Sequence, residues 1–282
     1  MLWLGSLWLR ALASLLVDGS IAMLCGVVLA RLWLQRNQPI RPLLFSITLC
    51  IGSALQLLSL AAVFTGEPSL TAVLQSLPDI VATHAGTVLA LNLVAAVVLL
   101  IAGALGQPLF TAAALALAIV LRAGVGHAAT QQLLSWSQAL QAVHVGSMAV
   151  WSGGVIVSGV AVLPQLRTAP AALVGYLARL SRASTWAVVM VIVSGGTRAY
   201  PVIQPDLHAA LHSAWGAVLA AKLLCVAAAL ALGYSNRRWL ARNDCSEAAC
   251  TRVVRSLRVE AIAMLLILTL SGVLANLAPP GN

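Results

Sequence analysis

Charge is scarce in this sequence, and negative charge is scarcer still. Only 8% of the 282 residues are charged, and Asp plus Glu number 7 against 16 Lys plus Arg. Soluble domains carry roughly 25% charged residues, so a water-facing surface cannot be built from this chain. Soluble-enzyme motifs are missing as well: no GxGxxG follows a strand, and there is no P-loop and no HExxH. The chain is therefore not expected to be an enzyme. Without an ATP-binding domain, any transport is expected to be passive or coupled to another gradient. A secreted disulfide framework is also lacking. Cys25, Cys50 and Cys225 lie within apolar segments, where small buried thiols are ordinary, and Cys245 and Cys250 lie in a charged loop at loose spacing. No cleavable signal peptide is expected, because the first apolar segment lacks a basic start and Arg10 interrupts it.

What the chain has instead is apolar length. Hydrophobic residues make up 61%, with a mean hydropathy of +0.99. A bilayer-spanning helix needs about 20 mostly apolar residues. Eight such segments are expected, at residues 12–34, 43–64, 84–105, 109–125, 138–163, 183–200, 211–234 and 259–278. Lipid forbids exposed irregular backbone, so the fold class is all-α, a polytopic integral membrane protein of eight transmembrane helices. Membrane lipid is its solvent partner.

The net charge of +9 raises the question of nucleic acid, and the placement of the charge argues against it. Arg31, Arg36 and Arg41 flank the first connection, and Arg167, Arg179 and Arg182 flank the fifth. Arg237, Arg238, Arg242, Arg252, Arg255 and Arg258 crowd the seventh, which makes twelve of the 16 basic residues. Connections on the other side carry Glu67, Asp79 and Asp206, with Arg198 the only basic residue. The positive-inside rule then places the arginine-rich connections in the cytoplasm and both termini outside.

A faint internal repeat accompanies this alternation. "GSIAMLCG" at 19–26 resembles "GSMAVWSG" at 146–153, and "GTVLALNL" at 86–93 resembles "GAVLAAKL" at 216–223. The nearly equal offsets suggest two parallel four-helix halves, 1–125 and 126–282, as in some transporters.

The topology puts all five histidines in the outer half. His127 and His144 bracket a short connection, so their helices are expected to be neighbours. Met148 follows His144 by four residues on the same helix face. Imidazole beside thioether is a soft donor set that favours copper over hard cations, which makes His127, His144 and Met148 the leading metal ligands. His208 and His212 share an i, i+4 spacing, and His84 opens the third span; these are weaker ligand candidates. The alternative use of two such histidines is axial ligation of a b-type haem. Two charges fall inside spans. Lys222 is expected to reach Glu260 as an intramembrane pair that holds or gates the bundle, while Arg122 is expected only to snorkel toward the headgroups. A transported ion would pass between the helices that carry the Gly-rich segments.

The second half resembles a known family. "HVGSMAVWSGG" is similar to the H-x(6)-WxGG signature of the bacterial copper resistance protein D family, and "AGVGHAA" to its GHA segment. "SRASTWAVVMVIVSGGTRA", "WGAVLAAKLLCVAAALALGYSNRRWL" and "LRVEAIAMLLILTLSGVLANLAPP" resemble its following helices, with Trp215 where tyrosine is common. The likeness covers about residues 120–280. It implies an inner-membrane protein of copper transport and homeostasis that takes copper from the periplasmic side, where a periplasmic copper-binding partner works with it. His127 and His144 are the positions matching the family's histidines. No Met-rich copper domain is fused here, so that partner is expected to be a separate protein.

Overall fold

The computed structural model describes residues 6–34, 42–66, 69–125, 135–166, 168–203, 207–241 and 247–278. In chain order the helices are α1 (Leu7–Leu34), α2 (Pro42–Thr65), α3 (Leu70–Gln75), α4 (Leu77–Ala82), α5 (His84–Leu105) and α6 (Pro108–Ala123). They continue as α7 (Trp136–Val157), α8 (Leu163–Leu166), α9 (Pro170–Ile203), α10 (Leu207–His212), α11 (Ala214–Ala241) and α12 (Glu247–Leu274). A π-helical turn, Ser158–Val162, joins α7 to α8. No strand occurs among the described residues. The protein is an all-α polytopic membrane protein.

Among the described residues, seven helices are long and apolar enough to cross a membrane. The fourth expected span is α6, which is apolar but has only 16 residues. At about 1.5 Å per residue it covers roughly 24 Å, short of a hydrocarbon core of about 30 Å. Two spans begin well before their expected starts, α9 at Pro170 and α12 at Glu247. Their early turns carry Arg179 and Arg182, or Arg252, Arg255 and Arg258. Hydropathy marks where a helix meets lipid, whereas the backbone hydrogen bonds continue into the polar zone beyond it.

The two sequence halves share one core. Buried residues of α1, α2, α5, α6, α7, α9, α11 and α12 form a single cluster. Helix α1 runs through its middle, with 61% of its most apolar window buried, while α11 sits at the edge with 6%. Association in lipid lacks a hydrophobic drive and relies on close backbone approach. That approach is extreme between α1 and α7. A Cβ on Gly26 would overlap the carbonyl of Gly153, and a Cβ on Gly153 would overlap that of Ala22. The two resembling Gly-rich stretches therefore meet each other. A contact with no room for a methyl group is not an ion path, so the expected passage between these helices is closed in this structure.

The second pair of resembling stretches also shares a construction. The Thr83 hydroxyl accepts from Gly86 N at 3.1 Å and donates to the Ile80 carbonyl at 2.6 Å. The Ser213 hydroxyl accepts from Gly216 N at 3.0 Å and donates to the Ala210 carbonyl at 2.8 Å. In both turns a Cβ on the glycine would strike that same carbonyl. Each turn thus seats a short helix, α4 or α10, on the first turn of a long one.

At the other end of α7 the π turn serves packing. Ser158 bonds the Gly154 carbonyl and pairs with the Tyr176 hydroxyl at 2.9 Å, and Tyr176 meets Trp33 edge-on at 5.6 Å. Gly159 lies against the Leu257 backbone of α12, where a Cβ would come within 2.9 Å of the carbonyl oxygen.

Candidate functional site

A cavity of about 750 Å³ lies at the end of the bundle where α1 begins. Its walls come from the first turns of α1, α5, α7 and α11 and from the last turns of α2, α6, α9 and α12. This alternation means that α6 runs from one end of the bundle to the other despite its length. Described arginines that flank the first, fifth and seventh connections lie at the opposite end: Arg31 late in α1, Arg179 early in α9 and Arg238 late in α11.

His144 and Met148, one helical turn apart on α7, both line this cavity. The capping hydroxyl of Ser135 accepts from Gln138 N at 3.2 Å and fixes the start of α7. Nδ1 of His144 faces the Ser194 hydroxyl of α9 at 3.1 Å. Gly195 allows that approach, since a Cβ there would sit 3.1 Å from the ring's Cε1. The imidazole is thereby oriented by α9 while it borders the cavity. Met148 is buried beside it.

The cavity also holds the fold's buried ion pair. Arg122 donates from Nε to Asp18 Oδ1 at 2.7 Å and from Nη2 to Oδ2 at 3.0 Å. Arg122 was expected to snorkel; it instead makes a two-pronged bond to the first helix, the geometry that suits a guanidinium and a carboxylate. Sequence reasoning passed over Asp18, although a lone acid inside the first apolar span was the available signal. Nearby, Ser14 Oγ accepts from Gln56 Nε2 at 3.3 Å and from Asn276 Nδ2 at 3.2 Å, which ties α2 and α12 to α1.

Lys222 lines this same cavity. Glu260 does not: it borders a second cavity of about 270 Å³ at the opposite end and accepts from Asn236 Nδ2 at 3.1 Å. Asn236 lies fourteen residues beyond Lys222 on α11, about 21 Å along the helix axis. The expected Lys222–Glu260 pair is thus not formed, because each charge belongs to a different end of the bundle.

The other histidines separate. His127 lies outside the described residues, as does Cys245. His84 is exposed at the start of α5 and is not part of the cavity wall. The exposed His208 and His212 stack at 4.1 Å between centroids, and His212 Nδ1 lies 2.9 Å from the His208 carbonyl oxygen. Stacked rings do not aim their nitrogens edge-on at one point between them. Among the described residues, no group of three or more His, Cys, Asp or Glu could hold a metal ion. For a b-type haem the described cavity wall offers one imidazole, His144. Met148 lies on the same face of the same helix and so could not be the second axial ligand across the haem plane.

No curated protein and no solved structure matches the chain. The family described as Copper resistance protein D matches residues 174–274, from α9 to the end of α12. The matched stretch contains Ser194, Arg198, Lys222 and Glu260, while His144 and Met148 precede it. That family's description names copper resistance. The match at residues 174–274 thus supports membership of the copper resistance protein D family.

Proposed function

We propose that this protein binds copper at the His144–Met148 face of the larger cavity and moves it across the bacterial inner membrane. The observation that carries this reading is that an imidazole and a thioether, one turn apart, border a single cavity. With Nδ1 turned to Ser194, Nε2 is the nitrogen assigned to copper, and the serine plays the orienting part that metal-bound histidines usually obtain from a hydrogen-bond partner. Thioether and neutral imidazole favour Cu(I). The positive-inside rule puts the cavity on the periplasmic side and both termini in the periplasm, within reach of a separate periplasmic copper-binding protein that would hand over the ion. The protein acts as a carrier and not as an enzyme.

In the full-length protein, His144→Ala is expected to weaken Cu(I) affinity at least about tenfold, which corresponds to about 1.4 kcal/mol. Competition against a chromophoric Cu(I) chelator, with copper accumulation in cells as a second readout, measures this. Met148→Leu keeps the volume and removes the sulfur donor, so it should weaken binding to a smaller degree. Wild-type affinity in His144→Ala would count decisively against the site. A visible spectrum of the purified protein supplies a separate check, since a Soret band would point to haem.

A further inference from the structure

We infer that the larger cavity is a binding site for an organic oxyanion. Twelve of the 16 basic residues flank the three arginine-rich connections. The remaining four are Arg10, Arg122, Arg198 and Lys222; they come from four different helices, and all four line this cavity. Asp18 is the only acid facing it among the described residues, and both of its oxygens are held by Arg122. Asp18 acts on Lys222 only at longer range. Arg10, Arg198 and Lys222 therefore remain with no carboxylate in ion-pair contact among the described residues.

A cation at membrane depth is expensive and tends to mark a ligand path or a paired network. Lys222 lies eight residues into α11, about 12 Å along its axis. That is farther than its own side chain reaches, so snorkelling alone does not explain its position. Three cations with no ion-pair partner among the described residues, set around one void, repel a bare metal ion and attract an anion. Guanidinium forks match oxyanions bidentately. Two cavity-lining side chains, Gln56 and Gln141, each hold a buried Oε1 without a hydrogen-bond partner among the described residues, so polar capacity stands ready for a ligand that also carries donors. The rest of the wall includes Leu60, Val63, Leu219 and Leu274. A volume of about 750 Å³ suits a small organic molecule and not a single ion. The chemistry thus calls for an oxyanion head among Arg10, Arg198 and Lys222, with an apolar body against the leucines. Such a ligand would offset the repulsion that these cations exert on copper at His144, but the inference does not depend on copper binding.

Trp215 borders the cavity and gives a fluorescence reporter. The full-length protein, with chelator present to exclude copper, would be titrated with octanoate and with octyl phosphate, using tetraethylammonium as the cationic control. Nanodiscs with and without phosphatidylglycerol form a separate arm. Saturable binding of either free anion, weakened tenfold or more in Lys222→Met and in Arg198→Leu, is expected. Quenching that follows phosphatidylglycerol alone, with the same loss in both variants, would make the head a lipid phosphate and still support the site. No saturable anion binding in any arm would overturn the inference. So would equal binding of tetraethylammonium, or variants that bind like wild type. Lys222→Met removes a cation with no ion-pair partner among the described residues and should unfold at no lower temperature than wild type; a clear drop would assign Lys222 to structure and overturn its role here. Octanoate binding is read with copper chelated and Cu(I) affinity is read without octanoate, so failure of the copper site and failure of the oxyanion site are read separately.

Discussion

Replacing Asp18 with leucine should destabilise the folded protein by about 3–5 kcal/mol, because it strands a buried guanidinium. Arg122 is 8% exposed at its side chain and Asp18 20%, and the two are joined by two short hydrogen bonds. Removing one member of such a pair costs far more than the pair contributes, since the survivor keeps its desolvation without its partner. Arg122→Leu should therefore be destabilising as well, and Asp18→Leu/Arg122→Leu should recover most of the loss. Thermal or SDS-induced unfolding of the purified full-length variants measures this. Equal unfolding of wild type and Asp18→Leu, or a double variant worse than the sum of the singles, would show that the pair does not hold α1 to α6.

The second large effect is steric. Gly153→Ala should cost about 3 kcal/mol or more, and Gly153→Leu should leave little monodisperse protein. The new atoms would overlap the Ala22 carbonyl, which is backbone and cannot rotate away. Helix α1 would have to move off α7, and the packing of α12 against α1 would move with it. Gly19 and Gly175 provide controls on the same helices or their neighbours, since a Cβ at either meets nothing within 4 Å. Alanine there should be neutral or stabilising by up to about 1 kcal/mol, the helix-propensity gain over glycine. Wild-type stability in Gly153→Ala would mean that the α1–α7 crossing is looser than described.

The same glycines show where sequence reading stopped. "GSIAMLCG" and "GSMAVWSG" stood out as similar strings, yet similarity along a chain does not say that the strings touch. Contact depends on the crossing of two helices, which their small residues permit but do not specify. His144 and Met148 were legible as neighbours because a spacing of four residues fixes their relation within one helix. Lys222 and Glu260 were paired wrongly because nothing local fixes depth across two helices. Asp18 and Arg122 are 104 residues apart, and only the packing of α6 on α1 joins them.

The sequence by itself determined the class of solvent and the seven long apolar spans, because hydropathy is summed along single segments. It left Arg10, Arg122, Arg198 and Lys222 outside the arginine-rich connections. The tertiary structure alone decided that those four residues, with His144 and Met148, surround one cavity. The physical reason is that a spanning helix must bury its polar groups away from lipid, while the choice of which neighbours receive them is made by helix packing, through backbone contacts as close as that of Gly26 with Gly153.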